Sequence, residues 1–169
     1  MSANLPAVID VWRMVAAKRR FEGTLPLSAF ARLRDSLVDA EGECRFVLEF
    51  GRDVGDQAFA EVRAEAELPL LCQRTLERYL HRVRLVQQLG LITSEAQESA
   101  LPEQMEPLLL PESGELRPAD LVEDELILAL PVVPINPDSE GPPQEWHEEP
   151  EEEQQNPFGV LSQLKDNKQ

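Results

Sequence analysis

Residues 58–72, AFAEVRAEAELPLLC, decide the fold because an apolar side chain falls at every second position. The even positions from Ala58 to Cys72 are all apolar, whereas the odd positions include charged side chains. A period of two residues is the pattern of a β-strand with one buried face, and it outweighs the helix propensity of alanine and glutamate. Pro69 cannot donate a backbone hydrogen bond, so we expect a sheet edge or a bulge there.

The segments on either side extend this strand into a sheet. Upstream, residues 43–50 alternate in the same way, and Gly51–Gly55 supplies a turn between the two strands. Downstream, Leu76–Leu89 permits two interpretations. Its periodicity fits a helical stripe, whereas the rule that sequential strands usually pair favours a second long strand joined through Gln73–Arg74.

A helix is predicted to cover the sheet. The longest apolar run is LVEDELILALPVVP at residues 121–134. Pro118 suits the first turn of a helix, and Pro131 ends the helix. We expect the apolar side chains to be buried against the hairpin, in particular those of Ile127, Leu128 and Leu130.

Two helices are predicted before the first strand. Residues 7–20 place apolar side chains at helical spacing, and Gly23 ends this helix. Pro26 begins a second, short helix, whose apolar face comprises Leu27, Phe30, Leu33 and Leu37. Residues 94–111 are typical of a loop.

Charge is distributed unevenly along the 169 residues, whose formal net charge is −16. Residues 1–90 hold 13 basic and 13 acidic side chains, whereas residues 91–169 hold 3 basic and 19 acidic ones. We therefore predict one α+β domain over residues 1–135, with an antiparallel hairpin core, N-terminal helices and a C-terminal helix on the sheet. A disordered acidic linker over residues 136–155 and a short helical motif over residues 156–169 follow.

The terminal motif NPFGVLSQLK, residues 156–165, has the pattern of a docking helix. Asn156 is a good N-cap and Pro157 a good first helical residue. Phe158, Leu161 and Leu164 then fall on one face. Such a helix is too short to be stable alone, so we expect it to dock into a groove, either on a partner or on its own domain, in preference to the third alternative, a frayed end.

Two sets of charged residues are candidates for binding or chemistry. Arg74, Arg78, Arg82 and Arg84 would share one face of a strand, where they could contact RNA phosphates. Spacing alone favours a solvated face balanced by Glu61, Glu65 and Glu67, because the chain is acidic. Glu123, Asp124 and Glu125 complement the positive end of the helix dipole, and adjacent acids on a helix diverge too far for a paired-carboxylate site.

The remaining patterns favour a cytoplasmic, non-enzymatic protein without a cofactor or a metal ion. The sequence has no nucleophile–base set and no glycine-rich phosphate loop. Cys44 and Cys72 lack a metal-ligand spacing, so we expect reduced, buried thiols. No stretch approaches the roughly 20 apolar residues that span a bilayer, and the charged N-terminus is not a secretory signal.

Three segments together resemble the YceD family of large ribosomal RNA subunit accumulation proteins. They are LPLLCQRTLERY at 68–79, LVEDELILALPVVP at 121–134 and NPFGVLSQLK at 156–165, and FEGTLPLSAFARL at 21–33 fits as well. The family-motif residues are Cys72, Gln73, Arg74, Glu123, Asp124 and Glu125. The family usually has Cys-Gln-Arg-Cys in the hairpin turn. Thr75 replaces the second cysteine here, which weakens a thiol-pair or metal role.

The resemblance favours the hairpin over the helix at residues 76–89 and makes Arg74 the arginine of greatest interest. It implies a factor for ribosome biogenesis that supports synthesis, processing or stability of 23S ribosomal RNA. The implied partner is ribosomal RNA or the pre-ribosomal large subunit, contacted directly or through a protein. The alternatives are a chaperone-like binder of a basic ribosomal protein and, with less support from the residues, an RNA-processing enzyme.

Overall fold

The alternating segments of the sequence form the central strands of a five-stranded sheet in a computed structural model, which describes residues 5–139. The elements, in chain order, are β1 (Ile9–Asp10), α1 (Val11–Ala16), β2 (Arg20–Pro26), a 3₁₀ turn (Leu27–Ala29), α2 (Ala31–Arg34), β3 (Glu43–Arg52), β4 (Ala58–Leu71), β5 (Arg78–Ile92), a 3₁₀ segment (Glu95–Ala100), β6 (Glu106–Leu109), β7 (Glu115–Leu116) and α3 (Pro118–Leu128). The α+β class predicted from the sequence is confirmed.

The sheet has the strand order β2-β3-β4-β5-β6. Its strands pair antiparallel except for β6, which lies parallel to the end of β5. The β4–β5 hairpin pairs without interruption from Phe59–Gly90 to Leu71–Arg78. The strand interpretation of residues 76–89 is therefore confirmed, and the helical one is wrong.

One face of the sheet is buried, and the period of two explains which face. The even positions of β3 and β4 are buried from Cys44 to Phe50 and from Ala58 to Leu70. Helices α1 and α3 pack on this face. The alanines of β4 are small, so they let the helices approach the sheet closely. The opposite face, called the outer face below, carries the charged odd positions of β4.

Pro69 lies where β4 no longer has β3 beside it, because the β3–β4 ladder ends at Cys44–Ala66. The carbonyl of Pro69 accepts a hydrogen bond from Val38 N at 2.9 Å. The predicted edge position is thus confirmed, as a local edge on a central strand.

The prediction of a helix over residues 7–20 is wrong at both ends. Helix α1 is only about one and a half turns long. Asp10 is its N-cap, and the Asp10 side chain accepts from Arg13 N at 3.1 Å. The helix ends before Lys18, whose φ is 48°. The chain then enters β2, which pairs with β3 along its whole length. Sequence reasoning missed β2 because the strand lacks a clean alternation and contains Gly23.

Two further predictions need correction. The short helix predicted from Pro26 is a 3₁₀ turn followed by the single turn α2, although Leu27, Phe30 and Leu33 are buried as expected. The loop predicted over residues 94–111 contains a 3₁₀ segment and β6. A strand as short as β6 carries too few residues for its period to be recognised.

Helix α3 begins at Pro118 and ends before Pro131, as predicted. The apolar stripe that faces the sheet comprises Leu121, Val122 and Leu126. Leu128 points away from this stripe and is 72% exposed, so its predicted burial is wrong. Ile127 and Leu130 are half-buried at the margin of the core.

Candidate functional site

Three of the four arginines singled out from the sequence lie together on the outer face of β5. Each of them bonds an acid: Arg78 Nε lies 2.6 Å from Asp39 Oδ2, Arg82 Nε lies 2.8 Å from Glu67 Oε1, and Arg84 Nε lies 2.7 Å from Glu65 Oε1. Arg82 and Arg84 sit directly opposite their glutamates in the β4–β5 register. Arg20 is likewise paired, with Glu49, at 3.2 Å.

The outer face is therefore a balanced, solvated surface. The Arg78 guanidinium holds the pKa of Asp39 below its usual value. Arg82 and Arg84 have side chains that are 86% and 80% exposed, and each engages its glutamate through Nε. Their terminal guanidinium nitrogens make no hydrogen bond to residues 5–139. Both arginines keep free donors toward solvent.

Arg74 lies apart from the other three, in the turn that joins β4 to β5. Its Nη2 donates to Asn136 O at 3.2 Å and also to the carbonyl and hydroxyl of Ser139. In the same turn Gln73 N donates to Pro134 O at 2.8 Å. The turn that contains Gln73 and Arg74 thus packs against the segment that follows α3, and Asn136–Ser139 forms a second turn beside it.

Cys72 is fully buried at the base of this turn, and its sulfur accepts a hydrogen bond from Asn136 N at 3.3 Å. This N–H is the main cause that lowers the pKa of Cys72 to about 6. The hydroxyl of Thr75 adds to the effect, although Thr75 Oγ1 forms no hydrogen bond of ordinary geometry. Burial instead raises the pKa of Cys44 to about 12.

The environment of Cys72 is closed rather than open to a substrate. Tyr79 contributes a second buried hydroxyl without a hydrogen-bond partner among residues 5–139. Its pKa is raised by burial first and by the charge of Cys72 second. Because the Cys72 sulfur has no access to solvent, its thiolate is placed to accept hydrogen bonds within the fold rather than to attack a substrate.

The three consecutive acids of α3 have three different environments. Glu123 is 5% exposed, and its Oε1 accepts from Arg32 N at 2.6 Å and from Leu33 N at 3.0 Å. These are free N–H groups at the start of α2, so Glu123 caps a different helix from its own. The sequence predicted only that Glu123 complements the dipole of α3, whereas the structure buries it against the start of α2.

The other two acids have surroundings that differ from each other. Asp124 lies 2.6 Å from Arg32 Nη1, whereas Arg32 Nη2 lies 3.2 Å from Glu123 Oε2. The Arg32 guanidinium thus bridges Glu123 and Asp124. Glu125 is buried, and its pKa is raised by burial first and then by Glu106 and Asp124.

Arg32 is the residue that sequence reasoning missed. It lies 91 positions from Glu123 in the chain, so no local pattern links the two. One signal was available, because Glu123 occupies a position beside the buried Leu121–Val122 stripe. An acid at a buried helical position requires a partner.

The proposed docking residues Asn156, Pro157, Phe158, Leu161 and Leu164 lie outside the described residues. Within residues 5–139, no cluster of three or more side chains could hold a metal ion. No helix in that same part of the chain is long and apolar enough to cross a membrane.

Comparison with known proteins gives two positive findings. Residues 60–165 match the family described as "Large ribosomal RNA subunit accumulation protein YceD". A protein of that name from Haemophilus influenzae is 29% identical over 168 residues, covering 96% of this chain and 97% of its own length. No solved structure gives a significant match.

Proposed function

Because this chain belongs to the YceD family, we propose that it is a cytoplasmic factor that supports accumulation of 23S ribosomal RNA without catalysing a reaction. The match over residues 60–165 carries this proposal, since it includes the β4–β5 hairpin and helix α3. The Haemophilus relative has the same name as the family, and the alignment covers 96% of this chain and 97% of the relative. This coverage supports extending the role to the full chain.

The chemistry of the described residues supports a non-enzymatic role. Glu123 is committed to capping α2, and Cys72 is buried at the base of the hairpin turn. Between residues 5 and 139, no group of three or more histidine, cysteine or acidic side chains is placed to hold a metal ion. We infer that the factor acts by binding.

Contact through a protein partner is the route that the charges favour. A phosphate that approached Arg78, Arg82 or Arg84 would compete with carboxylates already within 2.8 Å of those side chains. Direct RNA contact through these arginines and Arg74 is the second route. It predicts a steep loss of affinity with added salt, because each phosphate contact releases counterions.

Deleting the gene and measuring ribosomal RNA tests the function itself. The ratio of mature 23S to 16S ribosomal RNA is expected to fall, and plasmid-borne expression of the full chain should restore it. An unchanged ratio would refute the proposed role. A matched strain that expresses an unrelated acidic protein controls for the expression load.

The enzymatic alternative is tested with purified protein. Incubating the chain with precursor 23S ribosomal RNA and Mg²⁺ should leave the RNA intact. Specific cleavage that co-purifies with the wild-type chain would make it a processing enzyme and contradict the binding role.

A chaperone-like binder of a basic ribosomal protein is the second candidate function. It is favoured by the net charge of −16, all of which lies in residues 91–169 and would attract a basic partner. Such a factor would recover a ribosomal protein from cells without crosslinked RNA. The RNA-contact route would recover both.

A further inference from the structure

Strand β5 leaves most of one side open. On that side β6 pairs only with Leu89–Ile92, and none of the other strands within residues 5–139 lies beside the preceding residues of β5. The carbonyl of Pro69 accepts from Val38 N and therefore points away from β5. Leu80 lies opposite Pro69 in the β4–β5 register, so its N–H and C=O point away from β4. Ile92, which is also an even-numbered residue of β5, likewise points its carbonyl away from β4, where it accepts from Leu110 N.

The backbone groups of even-numbered β5 residues therefore form a continuous row of donors and acceptors on the open side. Each even residue of the open stretch presents an N–H and a C=O outward, and these residues are Leu80, Arg82, Arg84, Val86 and Gln88. Within residues 5–139, the outward N–H groups of these residues and the outward carbonyls from Leu80 to Val86 have no hydrogen-bond partner, whereas the Gln88 carbonyl faces Glu106 N at the start of β6. A row of this kind is the template that a further strand pairs with.

The side chains of the same residues define what such a strand must carry. Strand β5 contains three arginines and no acid, in a chain whose net charge is −16. The glutamates that pair with Arg82 and Arg84 stand on β4, on the side away from the open edge. The free guanidinium nitrogens can therefore take a second carboxylate from the open side, and the exposed Leu80 and Val86 flank them.

A groove borders the beginning of this edge. It has a volume of about 830 Å³ and lies between the first residues of β5, Arg78–Arg82, with Glu67 of β4 beside them, and the turn at Asn136–Asp138. The groove leaves room for side chains of an incoming segment over the outer face where the open row begins.

We propose that the open edge of β5 binds an extended, acidic segment of a partner protein as an added strand. The partner's main chain pairs with the outward groups from Leu80 to Gln88. Two carboxylates, two residues apart, bind Arg82 and Arg84, and apolar side chains outside them contact Leu80 and Val86. This inference goes beyond the proposed role in ribosomal RNA accumulation and can fail independently of it.

Two other occupants fit the edge less well. A second copy would place two arginine-bearing edges side by side, where like charges on facing strands repel. RNA phosphates can accept from the N–H groups, but the donors of RNA, its 2′-hydroxyls and base amino groups, do not repeat at the spacing of the N–H groups of a β-strand. An acidic strand satisfies the donors, the acceptors and the arginines together.

A pair of synthetic peptides tests the proposal on the purified full chain. The probe has the sequence Val-Thr-Glu-Thr-Glu-Thr-Val, and the control replaces both glutamates with lysine. The acidic peptide should bind about tenfold more tightly or better, and it should slow hydrogen exchange of the amides of Leu80, Arg82, Arg84, Val86 and Gln88. Equal affinity for the two peptides, or no protection of these amides, would overturn the proposal.

Substitution at Val86 separates main-chain pairing from charge attraction. Val86→Pro removes one outward N–H and leaves the pairing with β4 in place, because edge strands tolerate proline where the N–H faces outward. It should weaken the acidic peptide about tenfold, whereas Val86→Thr should leave the affinity unchanged. Unaltered binding by a folded Val86→Pro variant contradicts the added strand.

An RNA arm completes the test. A single-stranded RNA oligonucleotide should leave the same amides unprotected. If it protects them while the acidic peptide does not, the edge is an RNA-binding surface and the proposal is wrong. If Val86→Pro does not fold, the exchange measurement on the wild-type chain decides alone. Because the assay uses purified protein, its outcome is independent of any change in 23S ribosomal RNA in cells.

Discussion

Replacing Glu123 with alanine should destabilise the fold far more than its position in an acidic run suggests. The substitution removes the acceptor of two backbone N–H groups at the start of α2 and one partner of the Arg32 guanidinium. A buried donor left unsatisfied costs about 1–3 kcal/mol, and loss of a helix cap costs about 1 kcal/mol. Arg32 is 54% exposed, so water can replace part of the loss. We expect a decrease of about 2–3 kcal/mol in the free energy of unfolding.

Urea unfolding followed by circular dichroism measures this decrease, and the neighbouring acid provides the matched control. Asp124→Asn breaks an ion pair with Arg32 in which the Asp124 side chain is 48% exposed, so it should lower the free energy of unfolding by less than about 1 kcal/mol. Glu123→Gln keeps one acceptor oxygen and should fall between the two. Equal losses for Glu123→Ala and Asp124→Asn would refute the assignment of Glu123 as the cap of α2.

Three further predictions concern pH and packing. The raised pKa of Glu125 means that the folded protein holds its proton more tightly, so stability should fall as pH rises above about 4.5, and Glu125→Gln should reduce that slope in urea midpoints. The pKa of Cys72, lowered to about 6, means that its thiolate stabilises the fold above the ordinary thiol pKa and loses this effect as pH falls through about 6. Cys72→Ser should lack that dependence, and in a Cys44→Ala background the thiolate absorbance of Cys72 should titrate near pH 6. Gly114→Ala should lower the melting temperature, because Gly114 has a φ of 66° and an added Cβ would lie 2.8 Å from the ring of Trp12.

The sequence was sufficient to predict the strands in which the alternation of apolar and polar residues extends over many positions. Eight alternating positions in β4 predicted the central strand, because one buried face imposes a period of two over the whole length. The partner strand β5 was ambiguous, since its apolar spacing also fits a helix, and the family resemblance favoured the hairpin that the structure has.

The site depended on contacts that local patterns do not contain. The contact between Glu123 and α2 joins residues 91 positions apart, and that between Arg74 and Ser139 joins residues 65 apart. Strand β2 was missed because its side chains are only partly buried on either face, which removes the alternation. The pairing of Arg82 and Arg84 with glutamates was foreseen, because it follows directly from the register of a hairpin.

The central claim is that the chain acts by binding within large-subunit biogenesis. It is tested most directly by crosslinking the tagged full chain in cells, then sequencing the bound RNA and identifying the bound proteins in the same sample. We expect components of the large-subunit precursor, protein or 23S ribosomal RNA, to be enriched over those of the small subunit. Equal recovery of both subunits, or recovery of neither, would contradict the account.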